Sequence, residues 1–390
     1  MKLTHLGLLP RIVIAILLGV VGGLIMPEWM MRLFATFNAL FGNLLGFFIP
    51  LLIVGLIVPG IAEVGRGAGW LLFVTVVIAY LFTLFSGFVT WGICDLSYQW
   101  ILGNTALDVG RAQETSLVPY FTIDMPPIMG VTSALVAAFI IGVSLTVIKG
   151  DTLRRGFDDF REVVTLTIER VIIPMLPLYI FGIFMSMTVG GQVTGVLGVF
   201  VKLIVLIFAM TLLILIVQFG IAGFVARRNP FKLLCNMLDA YVTALGTQSS
   251  AATIPVTIAA TIRNGVTPSV ANFVVPLCAT IHLSGSTIKI TSCALAIIVI
   301  TGMEVEPLTM VSFICMLGVT MVAAPGVPGG AIMAALGVLH DILGFNDTAI
   351  GLMIALYIAM DSFGTATNVT GDGAIAILID KIDQRRKSGN

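Results

Sequence analysis

Charge is what this sequence has least of. Asp, Glu, Lys and Arg make up 10% of its 390 residues, where soluble domains carry about 25%. The 20 basic residues balance the 20 acidic ones, so no positive field exists to hold a nucleic acid. The five cysteines, Cys94, Cys235, Cys278, Cys293 and Cys315, are scattered and form no CxxC pair. Neither a disulfide framework nor a zinc site is implied. What the chain has instead is apolar residues, 58% of the total, with 41 Gly and 16 Pro. That balance excludes an ordinary soluble domain and fits membrane helices that pack closely or break.

A membrane-crossing helix needs about 20 apolar residues. Such stretches lie at 8–26, 38–62, 69–94, 128–148, 163–189, 194–226, 269–301 and 346–378. The first follows a short basic start and lacks an A-x-A cleavage site, so it reads as a retained span rather than a signal peptide. Two further stretches, 231–262 and 306–339, are apolar but interrupted: the first by GTQSSAATIPVT, the second by AAPGVPGGAIM. A helix with Pro and Gly in mid-span cannot continue, and irregular backbone at membrane depth persists only where it lines a cavity or is buried in protein. Both are predicted to be re-entrant helical hairpins whose tips meet. The fold class expected is therefore an all-α polytopic membrane protein with eight transmembrane helices and two re-entrant hairpins. With the N-terminus inside, Arg11, Lys149, Arg154, Arg227, Arg263, Arg386 and most other basic residues fall on the inner side, and only Arg32 and Arg111 outside. This satisfies the positive-inside rule.

The stretch 359–377, AMDSFGTATNVTGDGAIAI, is apolar at its flanks yet carries two acids. Asp361, Thr365, Asn368 and Asp372 are spaced by four, three and four, which places them on one face of a helix. Carboxylates at membrane depth are costly and mark binding sites. A helix–helix hydrogen-bond seam would need Ser, Thr or Asn, not two acids. Broken hairpin followed by polar-striped helix is also the pattern of a secondary transporter with a midplane site.

Four segments, NPFKLLCNMLDAYVTALGTQSSAATIPVT from Asn229, VPLCATIHLSGST from Val275, GVPGGAIM from Gly326 and DSFGTATNVTGD from Asp361, resemble the dicarboxylate/amino acid:cation symporter family, in that family's order. The resemblance implies a homotrimer in a bacterial-type inner (plasma) membrane, working as an elevator. A scaffold domain would comprise 1–68 and 95–192, and a transport domain 69–94 and 193–390, including both hairpins.

The resemblance also implies roles for residues. The first hairpin tip, Gln248, Ser249 and Ser250, is expected to cradle the substrate's α-carboxylate, with Ser250 at the matching position; a helix N-terminus suits an anion there. Val327 and Gly330 of the second tip would contact substrate through their backbone. Asp361 matches the acid that binds the substrate's ammonium, and Thr365, Asn368 and Ser286 lie with it. Asp372 and Asn368 match a cation site, and Thr280 contributes to a second. A third, to which Tyr80 and Thr83 belong, departs most: its family pattern N-M-D-G-T here reads His282-Leu283-Ser284-Gly285-Ser286. Without that acid, fewer bound sodium ions are expected. Sodium is the coupling ion favoured, with a proton carried by His282 as the alternative; no organic cofactor is implied.

Substrate type turns on three positions. Glutamate-type members carry an Arg four residues before the Asn, where this chain has Gly364, and others an Arg where it has Gln248. Lys289, two turns beyond His282, either replaces that Arg or pairs with an internal acid such as Asp361. The reading adopted is a small neutral amino acid, with an acidic amino acid or dicarboxylate held by Lys289 as the alternative. An aspartyl protease is excluded by distance: Asp361 and Asp372 are about 16 Å apart by helical rise, too far to share a proton.

Overall fold

The computed structural model describes residues 7–66, 70–102, 117–191, 193–322, 324, 326 and 328–389. Among them every regular element is helical. In chain order these are α1 (Leu8–Ile25), α2 (Glu28–Arg66), α3 (Trp70–Leu102), α4 (Val131–Val147), α5 (Thr152–Val189), α6 (Val193–Ala226), α7 (Pro230–Cys235), α8 (Leu238–Thr247), α9 (Ser250–Arg263), α10 (Pro268–Ile281), α11 (Ser284–Thr301), α12 (Pro307–Met321), α13 (Gly330–Asp341), α14 (Asp347–Ala359) and α15 (Asp361–Gly389). Six helical stretches among the described residues are long and apolar enough to cross a membrane, and the bent pair α14–α15 makes a seventh. This is a multi-pass membrane protein.

Several expected boundaries hold closely, such as 8–26 for α1 and 194–226 for α6. Others are corrected. The second span reaches back to Glu28, because Pro27 ends what precedes it. The stretch predicted at 163–189 belongs to a longer α5 whose first part, Thr152–Thr167, is amphipathic and whose middle makes a π-turn at Ile168–Ile172. The fourth stretch yields only the 17-residue α4, a little short of the about 20 residues a span needs.

The last two spans are both found, and each carries an internal break. The stretch 269–301 is not one helix: His282 and Leu283 leave helical geometry, at φ −110° and φ −121°, between α10 and α11. The stretch 346–378 is bent by 63° at Met360, between α14 and α15. Both breaks sit where polar groups gather; after the first, the freed N–H groups of Gly285 and Ser286 find a side-chain partner in Asn368, and at the second Met360 N–H bonds back to the Tyr357 carbonyl.

Each interrupted stretch folds as helix, break, helix. In 231–262 the arms are α7–α8 and α9, with Gln248 and Ser249 between; in 306–339 they are α12 and α13. The arms pack on one another. Two apolar clusters flank the polar residues. One joins α2, α4, α5, α11, α13 and α14; the other joins α6, α8, α10 and α15. The line where α11 crosses α15 carries the candidate site.

Candidate functional site

That crossing is close because two glycines face each other. A Cβ on Gly285 would overlap the Gly364 carbonyl oxygen and lie 2.8 Å from Cβ of Thr367. With α11 beginning at Ser284, the N–H groups of its first turn have no helical partner. Asn368 supplies one: its Oδ1 accepts from Gly285 N–H at 2.7 Å and from Ser286 N–H at 3.4 Å. Its Nδ2 donates to Ser286 Oγ at 3.2 Å, and that hydroxyl lies 3.0 Å from the Tyr357 hydroxyl on α14.

Asp361 opens α15. Its Oδ1 accepts from Lys289 Nζ at 2.8 Å, and its Oδ2 from Gly329 N–H at 2.9 Å. Gly329, at φ +75°, turns the chain into α13, so the second tip is bonded directly to the acid. Lys289 is fully buried. Its ammonium also sits 3.6 Å from the centroid of the Tyr357 ring, a cation–π contact that strengthens when water is excluded. Gly364 makes room for this side chain: a Cβ there would overlap Cε and Nζ of Lys289.

The two tips touch. Ser249 Oγ accepts from Ala252 N–H at 3.2 Å, capping α9, and donates to the Gly326 carbonyl at 3.0 Å. Gln248 takes up left-handed geometry at φ 53°, and its amide donates to Ser362 Oγ at 2.7 Å. The first tip is thereby pinned to α15 beside Asp361. Ser250 is the buried first residue of α9, at the end that carries the partial positive charge. Gly330 begins α13 and is buried, as is Thr365 one turn beyond Asp361. Val327 lies outside the described residues.

A second polar group forms around Asp372, one helical face of α15 further on. His282 Nδ1 lies 2.9 Å from Asp372 Oδ1 and its Nε2 lies 2.6 Å from Ser284 Oγ. Gln218 of α6 donates to Ser284 Oγ at 3.1 Å. The consistent arrangement is a neutral imidazole whose Nδ1–H donates to the carboxylate while Nε2 accepts from Ser284. Amide, hydroxyl and imidazole then all donate toward Asp372. Asp372 Oδ2, also buried, has no hydrogen-bond partner. A buried carboxyl oxygen without a hydrogen-bond partner suits a hard cation such as sodium, whose charge would hold the group ionised. Among the described residues, no three His, Cys, Asp or Glu side chains cluster to hold a metal.

The remaining expected residues stand apart from this group. Tyr80 donates to the Cys315 carbonyl of α12 at 3.3 Å. The Thr83 hydroxyl is used within its own helix, on Ala79 O, and that of Thr280 on Leu277 O. Three residues were missed by sequence reasoning: Gln218, Tyr357 and Ser362. Gln218 was visible, as an amide in the apolar run of α6, and Ser362 stands inside the stretch 359–377; Tyr357 carried no signal.

Comparison with known proteins identifies the chain's relatives. The profile of the Sodium:dicarboxylate symporter family matches residues 8–382. The serine/threonine transporter SstT of Acinetobacter baumannii (strain AYE) is 27% identical over 398 residues, covering 97% of each chain. The protein of the same name from Streptococcus thermophilus (strain CNRZ 1066) is 27% identical over 392 residues, covering 96% of each.

Proposed function

The chain belongs to the sodium:dicarboxylate symporter family, and from that premise we propose that it is a sodium-coupled symporter of small neutral amino acids. It is a transporter and not an enzyme, as its family and relatives are; Asp361 and Asp372 serve separate polar groups, one with Lys289 and the other with His282. The observation that carries the reading is the junction at Asp361, where a buried acid, the tip of each interrupted stretch and the start of α9 come together. Asp361 is the ligand for the substrate's ammonium. The first turn of α9, at Ser249 and Ser250, receives its carboxylate. Asn368, Ser286 and Thr365 line the space between, and Gly330 closes it from the second tip. Two interrupted stretches touching at their tips support the re-entrant hairpins and eight spans.

Neutral substrates are favoured because the two positions at which acid-carrying members have an arginine hold Gln248 and Gly364 here, and a lysine lacks that planar fork. Gln248 is bonded to Ser362, Gly364 has no side chain, and the Lys289 ammonium is paired with Asp361. The relatives named as serine/threonine transporters agree with this choice. Sodium binds at Asp372, whose second oxygen is buried and unpartnered, with Asn368 at the same site; the Thr280 backbone belongs to a second cation site, and Ser284 stands where a third has its acid. The alternative that the His282–Asp372 contact favours is a proton-coupled carrier, with His282 carrying the proton in place of sodium. The chain works as a homotrimer in the inner membrane, with residues 1–68 and 95–192 as scaffold and 69–94 and 193–390 as the moving domain.

Uptake by proteoliposomes under a sodium gradient tests the reading. Alanine, serine and threonine should compete for uptake better than aspartate and glutamate, and choline in place of sodium should abolish it. Best competition by the acidic pair would make Lys289 the carboxylate ligand. Sodium-independent uptake that is fastest at acid pH would select the proton.

A further inference from the structure

Three features of Lys289 belong together. Its ammonium is bonded to the carboxylate at which a substrate amine would bind, 2.8 Å from Asp361 Oδ1. It lies over an aromatic face, 3.6 Å from the Tyr357 centroid. Its stem fills the place of the side chain that Gly364 lacks. A carboxylate and a ring face are what a primary ammonium needs when water is excluded, so this lysine presents to the site the same chemical group that an amino acid does.

We propose that Lys289 is a tethered stand-in for the substrate's ammonium, occupying Asp361 and the Tyr357 face between substrate-bound states, and that an amino acid binds by displacing it. The inference rests on the reading of Asp361 as the amine ligand. Two ammonium groups cannot both occupy the place between Asp361 Oδ1 and the Tyr357 face, and Lys289 Nζ fills it. Substrate and Lys289 therefore compete.

The stand-in has a consequence for the transport cycle. Asp361 Oδ2 holds the second tip through Gly329 N–H at 2.9 Å, and the tips are latched to each other by Ser249 and Gly326. Closing these tips over an unpaired carboxylate would bury a bare charge. With Lys289 on Asp361 the closed junction is charge-balanced without a substrate amine. The carrier can then return across the membrane without cargo, and net uptake follows. Without Lys289, closure requires substrate, and the carrier is confined to exchanging one amino acid for another.

The experiment uses the full-length protein in proteoliposomes, with serine, threonine and alanine as probes. Equilibrium binding in sodium, net uptake into empty vesicles and exchange into preloaded ones are measured for the parent and for Lys289→Met. The expected result is several-fold tighter amino-acid binding by Lys289→Met, because an internal competitor is gone, with a large fall in the ratio of net uptake to exchange. Binding that is weakened or lost overturns the proposal and makes Lys289 a substrate ligand; an unaltered ratio overturns the return step and the proposal with it. A parent that binds none of the three amino acids overturns the functional reading itself, which this arm keeps distinct. If Lys289→Met does not fold, a measurement on the parent decides. The amine-free analogue of serine, 3-hydroxypropionate, should compete with serine, because Lys289 can stay on Asp361. No competition at any concentration overturns the stand-in.

Discussion

Gly364 and Lys289 occupy one side chain's worth of space between them: a Cβ on the glycine would overlap the end of the lysine. The lysine is fully buried, bonded to Asp361 and set over the Tyr357 ring, so moving it aside for a methyl group breaks both contacts. Gly364→Ala is therefore expected to destabilise the protein by about 1–3 kcal/mol, the usual cost of overpacking. Adding Lys289→Ala should recover part of that loss, because neighbours in contact are not additive. Thermal unfolding in detergent of both single variants and the double variant checks this. A silent Gly364→Ala would show that the two residues do not meet as described.

The ion pair itself gives the second prediction. Asp361→Ala leaves the Lys289 ammonium buried without its acid, and breaking a buried pair in this way costs about 3–5 kcal/mol. Asp361→Ala with Lys289→Met removes both charges and should regain most of the stability. Amino-acid binding should stay lost in both, because neither offers a carboxylate to the amine. Unfolding curves and serine binding separate the two effects. Serine binding by either variant near the parent's level would remove Asp361 from the amine site.

Much of this arrangement could be read from the sequence, because polar residues in an apolar chain stand out. The stripe from Asp361 to Asp372 lies on one helix, and the two Gly- and Pro-rich interruptions are breaks. The break at His282–Leu283 was not legible. Its run carries no Pro at that point, and the freed N–H groups of Gly285 and Ser286 are satisfied by Asn368, far along the chain. Hydropathy cannot register a partner brought in by tertiary packing. Met360 carries no breaker either, and so the 63° bend was missed. Gly364 gave a half-signal. Its missing side chain argued against an arginine, but what fills the space is decided by Lys289 on another helix.

A third prediction concerns the cation. Asp372 is bonded to His282 through one oxygen and has the other unpartnered in a buried position. Asp372→Asn should weaken sodium binding, and substrate binding with it. Linkage is reciprocal: sodium tightens substrate by the same factor by which substrate tightens sodium. Titrating serine at several sodium concentrations, and sodium at several serine concentrations, measures both factors. Equal serine affinity in sodium and in choline for the parent would end the sodium reading.

The last prediction converts the substrate. The family resemblance places an arginine at the Gly364 position in members that carry glutamate, where it grips the side-chain carboxylate. In this chain the position is blocked by Lys289, so Gly364→Arg alone should fold poorly. Lys289→Ala with Gly364→Arg clears the obstruction and supplies the planar, bidentate group that a lysine cannot imitate. Removing Lys289 also frees Asp361 for the substrate's amine. The double variant should then take up aspartate or glutamate, and alanine, serine and threonine should compete less well than they do against the parent. Competition assays in sodium-loaded and sodium-free proteoliposomes provide the measurement, with Lys289→Ala alone as the control for loss of the lysine. If the double variant is folded, still binds neutral amino acids and ignores acidic ones, then position 364 does not face the substrate's side chain. The neutral preference of the parent would need another cause than the pairing of Lys289 with Asp361.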